Sequence, residues 1–243
     1  MLEKIRFGSQ IEKKFLEDLE FLIEFNRFLE KFSKEILEIR HYNLVGEGQA
    51  AKVFDLSQSW NGRPLCVKIF HKFLTEISLL EYKRRQSASP KEEFFIQDKL
   101  FNEGFPVPEP FYMDTEDSQP YIVMEKIMGY DLRQINERGG LIKEPLWSDL
   151  ERLVIKMNNK HKIVHRDLHP GNIILQTDGK MDWEMKGKLY VIDFGTSRRT
   201  FSDNPSEEDF KLTVGDNVIK YPMDHSNIGT LRPRVGGNNV FLS

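Results

Sequence analysis

Apolar residues recur at helical spacing along residues 9–40, a stretch without proline or internal glycine. The apolar stripe comprises Phe15, Leu22, Leu29 and Ile36, with Phe25, Phe32 and Ile39 offset by three positions. This spacing predicts one or two helices. Because the stripe is rich in phenylalanine, packing on the protein's own body is favoured over the alternative, a helix that binds a partner or a second copy of the chain.

From residue 41 the alternation of apolar and polar residues becomes typical of strands. Residues 41–57 predict two short strands around a glycine turn, and residues 63–70, "RPLCVKIF", predict a third strand after an "NG" turn. Residues 89–104, "SPKEEFFIQDKLFNEG", predict a helix that ends at a glycine. This region therefore combines a sheet with one helix.

The second half of the chain predicts a different mixture of elements. Residues 105–113 and 120–127 read as extended segments, and residues 144–162 have the period of a helix with a proline near its start. Residues 172–177 and 188–194 are the two arms of a predicted hairpin. Beyond about residue 196 no period is strong, which predicts an irregular tail.

Composition narrows the class of protein. The chain has 39% hydrophobic and 30% charged residues and a net charge of −3, which does not favour binding to nucleic acid by bulk electrostatics. The single cysteine, Cys66, can form neither an internal disulfide nor a cysteine zinc site, so we expect a reducing, cytoplasmic environment. No signal peptide or run of about 18 apolar residues is present, so no membrane segment is expected.

The candidate chemistry lies on "HRDLHPGN", a short loop between apolar segments that carries Asp167 and Asn172. Alone it could be a polar turn. The other motifs are also weak singly: a glycine pair in "GEGQAAKV" is most often a turn, and a lysine within a strand is usually an exposed charge. Their order along the chain, namely glycine loop, strand lysine, helix glutamate, "HRD" loop and "DFG", is much more specific.

In this order and spacing, residues 42–200 resemble the protein-kinase-like superfamily, and "NEGFPVPEP" is similar to atypical kinases of the RIO type. The resemblance implies an α+β, bilobal fold. It divides the chain into an N-terminal helical extension (1–41), an N-lobe (42–127) and a C-lobe (128–243). The C-lobe is expected to be reduced, with an irregular tail, because no "APE" motif follows the "DFG".

The resemblance also implies ATP and Mg²⁺ as cofactors and assigns roles to residues of the N-lobe. Gly46 and Gly48 would let the backbone approach the phosphates, since no side chain stands in the way. Val53 would lie over the adenine. Lys68 would contact the phosphates, held by a glutamate of the following helix.

That glutamate is either Glu92 or Glu93. The two point about 100° apart on a helix, so only one can face Lys68. The similarity to RIO kinases favours Glu93.

Further roles follow from the same resemblance. Asp167 would orient the acceptor hydroxyl and take its proton, while Asn172 and Asp193 would bind magnesium. The resemblance also places Met124 beside the adenine pocket. Glu125 and Ile127, in the linker between the lobes, would present backbone groups to the base. Cys66 reads as a packing residue rather than a nucleophile.

The most favoured function is an atypical serine/threonine protein kinase that acts on protein substrates. The loop "HRDLHPGNIIL" also resembles aminoglycoside phosphotransferases, bacterial sugar-lipid kinases and UbiB-like proteins, which makes a small-molecule kinase the alternative. A pseudokinase scaffold that acts through the helix of residues 9–40 is the second alternative. Retention of lysine, both aspartates and the asparagine speaks against it.

Overall fold

A computed structural model describes residues 5–9, 43–48, 50–71, 89–114, 120–140, 144–177 and 187–200, with the backbone of 211–214 and 217–220. The chain divides into two compact units. The first comprises Met1–Ser78, Pro90–Gly104 and Pro108–Lys126, and the second comprises Leu79–Ser89, Phe105–Val107 and Ile127–Ser243.

The first unit is built on a six-stranded antiparallel sheet. Its strands are β1 (Ile5–Phe7), β2 (Asn43–Glu47), β3 (Ala51–Trp60), β4 (Arg63–Phe70), β5 (Pro110–Asp114) and β6 (Tyr121–Glu125). They are arranged in the order β1-β5-β6-β4-β3-β2. Asn61 and Gly62 both have positive φ, at 49° and 76°, which is the geometry that makes the predicted "NG" turn a tight hairpin between β3 and β4.

One helix, α1 (Pro90–Asn102), packs against this sheet. Proline suits its first position, because its missing N–H would lack an intrahelical partner there. Gly104 ends the helix with a φ of +72°, a conformation that glycine adopts at no steric cost. Phe94 of α1 joins Phe70, Met113 and Ile122 of the sheet in a buried core cluster, so the helix predicted for this segment packs against the sheet.

The edge strand β1 was not predicted from the sequence. It pairs with β5, and the Gly8 N–H beyond it donates to the Phe111 carbonyl at 2.8 Å. The backbone N–H of Ser9 donates to the buried Asp98 of α1 at 2.8 Å, and its hydroxyl donates to the same carboxylate. Three residues carry too little pattern to predict a strand; this one exists because it pairs with a segment more than 100 residues away.

The described residues of the second unit form two helices and small sheets. The elements are β7 (Gly129–Asp131), α2 (Leu132–Glu137), α3 (Glu144–Asn159), β8 (Ile163–Val164), a 3₁₀ turn (Pro170–Asn172), β9 (Ile173–Gln176), β10 (Lys188–Val191) and β11 (Arg198–Arg199). Strands β9 and β10 form the predicted hairpin, and β7 pairs on the other side of β9. Asp131 caps α2 by accepting from the Gln134 N–H at 2.7 Å.

The predictions for the N-terminal extension and for the C-terminal tail have different outcomes. The helix predicted for residues 9–40, and with it most of the extension 1–41, lies outside the described residues. The tail is not wholly irregular, since β12 (Lys211–Val214) and β13 (Asn217–Lys220) pair as an antiparallel hairpin. None of the helices in the described ranges is long and apolar enough to cross a lipid bilayer.

Candidate functional site

Three predicted residues of the first unit lie in one row across the sheet. Gly46 of β2 pairs with Val53 of β3, and Val53 pairs with Lys68 of β4. Residues directly opposite each other on neighbouring strands bring their side chains to the same face. The strand register alone therefore places the glycine loop, the residue expected over the adenine and the lysine side by side.

The glycine turn between β2 and β3 is closed by its own backbone. The Gly48 N–H donates to the Ala51 carbonyl at 2.9 Å, and β2 has a bulge between Leu44 and Gly46. A Cβ placed on Gly46 would meet no atom within 4 Å. The fold itself therefore does not require glycine at this position, which leaves the close approach of a ligand as a reason for it.

Lys68 forms a buried ion pair with the helix α1. Its Nζ donates to Glu93 Oε1 at 2.6 Å, and both side chains are almost fully buried, with 8% and 1% exposed. The adjacent Glu92 points to the exposed side of the helix. The structure thus resolves the choice between the two glutamates in favour of Glu93.

The core cluster holds the residues expected around the adenine. Met124 and Cys66 are buried members of this cluster, and Val53 packs against it. Burial raises the pKa of the Cys66 thiol to about 12, so it is protonated near neutral pH and is a poor nucleophile. The position of Cys66 agrees with its interpretation as a packing residue.

The backbone groups of Glu125 are partly engaged within the first unit. Its N–H donates to the Glu109 carbonyl at 2.8 Å, and its carbonyl lies 3.7 Å from the Cys66 Sγ, a weak donor. A carbonyl has two lone pairs and can accept a second, stronger donor. Ile127 is buried and begins the next segment of the second unit.

In the second unit, Asp167 is presented to solvent by a strained loop. Its side chain is 53% exposed, while the preceding Arg166 is buried and has a φ of +70°. Asn172 Nδ2 donates to the Asp167 carbonyl at 2.9 Å, which fixes the loop from the far side of the 3₁₀ turn. Left-handed backbone at a non-glycine residue costs free energy and is concentrated at functional sites.

The β9–β10 register brings Asp193 beside Asn172. Ile173 pairs with Val191, and the Ile192 N–H then donates to the Asn172 carbonyl at 3.0 Å. Asp193 follows directly, in left-handed backbone with a φ of +63° and with an exposed side chain. Aspartate tolerates this backbone better than most residues. The two residues predicted to bind magnesium are therefore neighbours.

His165 is buried and contacts the segment around Asp193. Its Nε2 lies 2.9 Å from the Ile192 carbonyl, which can only accept, and its ring packs on Phe194. Its own carbonyl accepts the hydroxyls of Thr196 and Ser197, at 2.8 and 3.3 Å. These contacts join the "HRD" loop to the "DFG" segment, and they agree with a structural rather than a proton-carrying role for His165.

The donor atoms of Asn172 and Asp193 suit a hard cation. The amide nitrogen of Asn172 is occupied by the Asp167 carbonyl, which leaves its oxygen as the available group. A carboxylate and an amide oxygen are ligands that magnesium accepts, and magnesium completes its shell with water and phosphate oxygens. Within the described ranges no group of three or more His, Cys, Asp or Glu side chains could hold a metal.

Sequence reasoning missed Arg133 of α2. Its guanidinium carbon lies 3.5 Å from the position of a Cβ on Gly171, within the turn that follows Asp167. Beside it, the Nε2 of His169 lies 3.9 Å from Asp167 Oδ2. No motif marks Arg133, because its proximity depends on the pairing of β7 with β9. Only the three-dimensional arrangement reveals it.

Comparison with known proteins gives one family and several relatives. The family model described as "Protein kinase domain" matches residues 39–216. The chain is 29% identical over 167 residues to serine/threonine-protein kinase RIO2 of Saccharomyces cerevisiae, covering 63% of this chain and 37% of that protein.

Two further relatives are similar over much the same share of the chain. The chain is 29% identical over 163 residues to the probable serine/threonine-protein kinase PknB of Bifidobacterium longum, covering 64% of this chain and 22% of the relative. It is 25% identical over 171 residues to the probable serine/threonine-protein kinase nek2 of Dictyostelium discoideum, covering 66% and 39%. The chain therefore spans well under half of the length of each of these proteins.

Proposed function

The chain belongs to the protein kinase family, and from this premise we propose that it is an ATP- and magnesium-dependent phosphotransferase of the atypical, RIO-like serine/threonine kind. The family match also confirms the predicted α+β, protein-kinase-like fold class. The proposed acceptor is the hydroxyl of a protein side chain. The names of the relatives, all serine/threonine kinases, support this acceptor over a small molecule.

The buried ion pair of Lys68 and Glu93 is the observation that carries the proposal. Removing an ammonium and a carboxylate from water costs several kcal/mol each, on the order of what their attraction returns, so such a pair is weak support for stability. Apolar residues of similar volume would serve the core at least as well. A lysine kept in place by a dedicated carboxylate is instead the arrangement that a phosphate-binding cation requires.

The residues of the second unit supply the remaining roles. Asp167 is exposed and fixed by Asn172, so it can orient an acceptor hydroxyl and accept its proton as the hydroxyl oxygen bonds to the γ-phosphorus and the bond from that phosphorus to the ADP leaving group breaks. Asn172 and Asp193 would hold magnesium through their oxygens. When bound, the metal neutralises phosphate charge that the chain's own cations do not.

The residues proposed to bind the nucleotide belong mostly to the first unit. Gly46 and Gly48 would lie against the phosphates, Val53 and Met124 against the adenine. The carbonyl of Glu125 would accept from the base, and the backbone of Ile127 would complete the contact. The row of Gly46, Val53 and Lys68 across the sheet supports one continuous surface for these contacts.

The location and partners of the protein are also proposals. The single cysteine is buried and protonated, which is compatible with a cytoplasmic location. A partner or a second copy of the chain that binds the segment 9–40 is supported by its apolar stripe. The proposed domain limits are 1–41, 42–127 and 128–243.

Transfer of labelled γ-phosphoryl from ATP tests the function. The purified chain is incubated with labelled ATP, magnesium and a whole-cell extract, and the protein and metabolite fractions are counted separately. The same assay is run on Asp167→Asn, which keeps the shape of the side chain, and on Asp149→Asn, an exposed aspartate of α3, as the matched control. We expect protein labelling that falls at least about 100-fold in Asp167→Asn, the size of a positioned base, and is unchanged in the control.

Other results would point elsewhere. Label found only among metabolites would replace the protein acceptor with a small molecule. ATP binding without transfer to any fraction would favour the scaffold. Equal labelling by the wild type and Asp167→Asn would refute the role proposed for Asp167.

A further inference from the structure

A second basic side chain lies beside the proposed catalytic loop. Arg133 is 62% exposed and its guanidinium carbon is 3.5 Å from the position of a Cβ on Gly171. Its one ion pair within the described part of the chain is a 3.7 Å contact with Asp131. Asp131 is already held by capping α2. The guanidinium therefore keeps most of its donors directed to solvent, next to the turn that carries the catalytic loop.

His169 joins Arg133 on this surface in a defined tautomer. The Gly171 N–H donates to His169 Nδ1 at 3.0 Å, so Nδ1 carries no proton and the ring proton is on Nε2. That Nε2 lies 3.9 Å from the carboxylate of Asp167, and the ring is 49% exposed. The hydroxyl acceptor would meet Asp167 from a surface that presents an N–H donor and a guanidinium.

We propose that Arg133, with His169, selects acceptors whose hydroxyl is flanked by carboxylates, so that the substrate is an acidic segment of a protein. This inference rests on the proposed function and specifies its substrate. A planar guanidinium binds carboxylates through two parallel hydrogen bonds, which suits a flanking glutamate or aspartate. Arg133 is a specificity residue in this account, whereas Asp167 remains the catalytic group.

The same surface disfavours a polycationic acceptor. An aminoglycoside carries several ammonium groups, and bringing them to Arg133 would place like charges side by side. Repulsion of a wrong partner contributes to specificity in addition to attraction of the right one. The side chains around Asp167 therefore distinguish the acidic peptide from the cationic small molecule that the loop motif alone left open.

Three serine peptides of one length test the proposal: one flanked by glutamates, one by lysines and one by glutamines. The measurement is kcat/KM for each at low salt, in the wild type, Arg133→Glu and Arg133→Gln. Arg152→Glu is the matched control, because Arg152 is 73% exposed and pairs with Asp149 three residues away on α3. Thermal melting of each variant verifies that it is folded.

The wild type should prefer the glutamate peptide to the lysine peptide by about fivefold, the upper range for one exposed ion pair. This preference should shrink as salt is added. Arg133→Glu should reverse it, Arg133→Gln should abolish it, and Arg152→Glu should leave it unchanged. The salt dependence needs no variant, so it tests the proposal even if both substitutions unfold the protein.

Two results would overturn the inference, and they differ in what else they refute. Equal or better transfer to the lysine peptide, or an unchanged preference in Arg133→Glu, would refute the specificity alone, because transfer itself would have been observed. Absence of transfer to all three peptides and to whole-extract protein would refute the protein-kinase function, and this inference with it.

Discussion

The two units hold the charged side chains of their proposed functional residues in opposite ways. In the first unit, the ammonium of Lys68 is buried and held by Glu93. In the second unit, the side chains of Asp167 and Asp193 are exposed and the protein fixes their backbone instead, through left-handed φ angles at Arg166 and Asp193. Removal of one partner of a buried ion pair leaves an uncompensated charge in the core and so lowers stability, whereas an exposed charge on a fixed backbone can be removed with little effect on the fold.

The largest expected effect is on activity, at an exposed residue. Asp193→Asn keeps the shape of the side chain and tolerates the left-handed backbone but loses the charge, so transfer to protein should fall at least about 100-fold. Its melting temperature should stay within a few degrees of the wild type, since surface substitutions usually change stability by about 0.5 kcal/mol or less. A large drop in melting temperature would show that Asp193 has a structural role and would contradict the proposed difference between buried Lys68 and exposed Asp193.

The next effect is on stability, at the buried pair. Lys68→Met leaves the Glu93 carboxylate buried without its cation and should lower the free energy of unfolding by about 3–5 kcal/mol. The double variant Lys68→Met/Glu93→Gln should recover much of this loss while remaining inactive. Urea unfolding followed by circular dichroism measures both. If the double variant were as unstable as the single one, the pair would not be an isolated buried interaction.

Alkaline pH should reveal a smaller effect at Cys66. Its folded pKa, about 12, lies above that of an unfolded thiol, so the folded state excludes the thiolate that the unfolded state forms. The stability contribution is complete below about pH 8.5 and is lost as pH rises towards 12, at about 1.4 kcal/mol per pH unit. Wild type should lose more stability than Cys66→Ala between pH 9 and pH 11. If stability fell with pH to the same extent in the wild type and in Cys66→Ala, the thiol would be in contact with water rather than buried.

The smallest effect on the fold is expected at the glycine loop. Gly46 has open space where a Cβ would be, so Gly46→Ala should leave stability unchanged or raise it by up to about 1 kcal/mol. ATP binding should nevertheless weaken about tenfold, because the methyl group would stand between the backbone and the phosphates at a cost of about 1–3 kcal/mol.

Gly129→Ala is the contrasting variant for this glycine. Its Cβ would lie 2.1 Å from the Leu175 carbonyl, so this substitution should destabilise the second unit strongly. Calorimetry of ATP binding, together with melting curves, distinguishes the two glycines. Unaltered ATP affinity in Gly46→Ala would remove the phosphate-binding role of the loop.

The sequence predicted the elements whose signal is local. The strand "RPLCVKIF", the helix that ends before Gly104 and the hairpin of β9 and β10 each carry their own period and turn residues. Strand β1 and the hairpin of β12 and β13 were missed, since three or four residues carry little pattern and the strands depend on pairing. Helix α2 was missed for the same reason, because six residues are less than two turns.

The candidate site residues also divide into those with a local sequence signal and those whose position depends on packing or strand pairing. The order of motifs led to the proposal of Lys68, Asp167, Asn172 and Asp193, but adjacency in sequence could not decide between Glu92 and Glu93. Packing decides it, because Glu93 faces the sheet and Glu92 faces solvent. Arg133 could not be found in the sequence at all, since a β-strand pairing carries α2 to the catalytic loop.

Calorimetric titration of ATP, with magnesium and with EDTA, tests most directly whether the charges of the two halves act on one nucleotide. We expect Lys68→Met to weaken ATP binding under both conditions, whereas Asp193→Asn should weaken it only when magnesium is present. Magnesium that strengthens ATP binding equally in the wild type and in Asp193→Asn would contradict the account, as would wild-type affinity in a folded Lys68→Met.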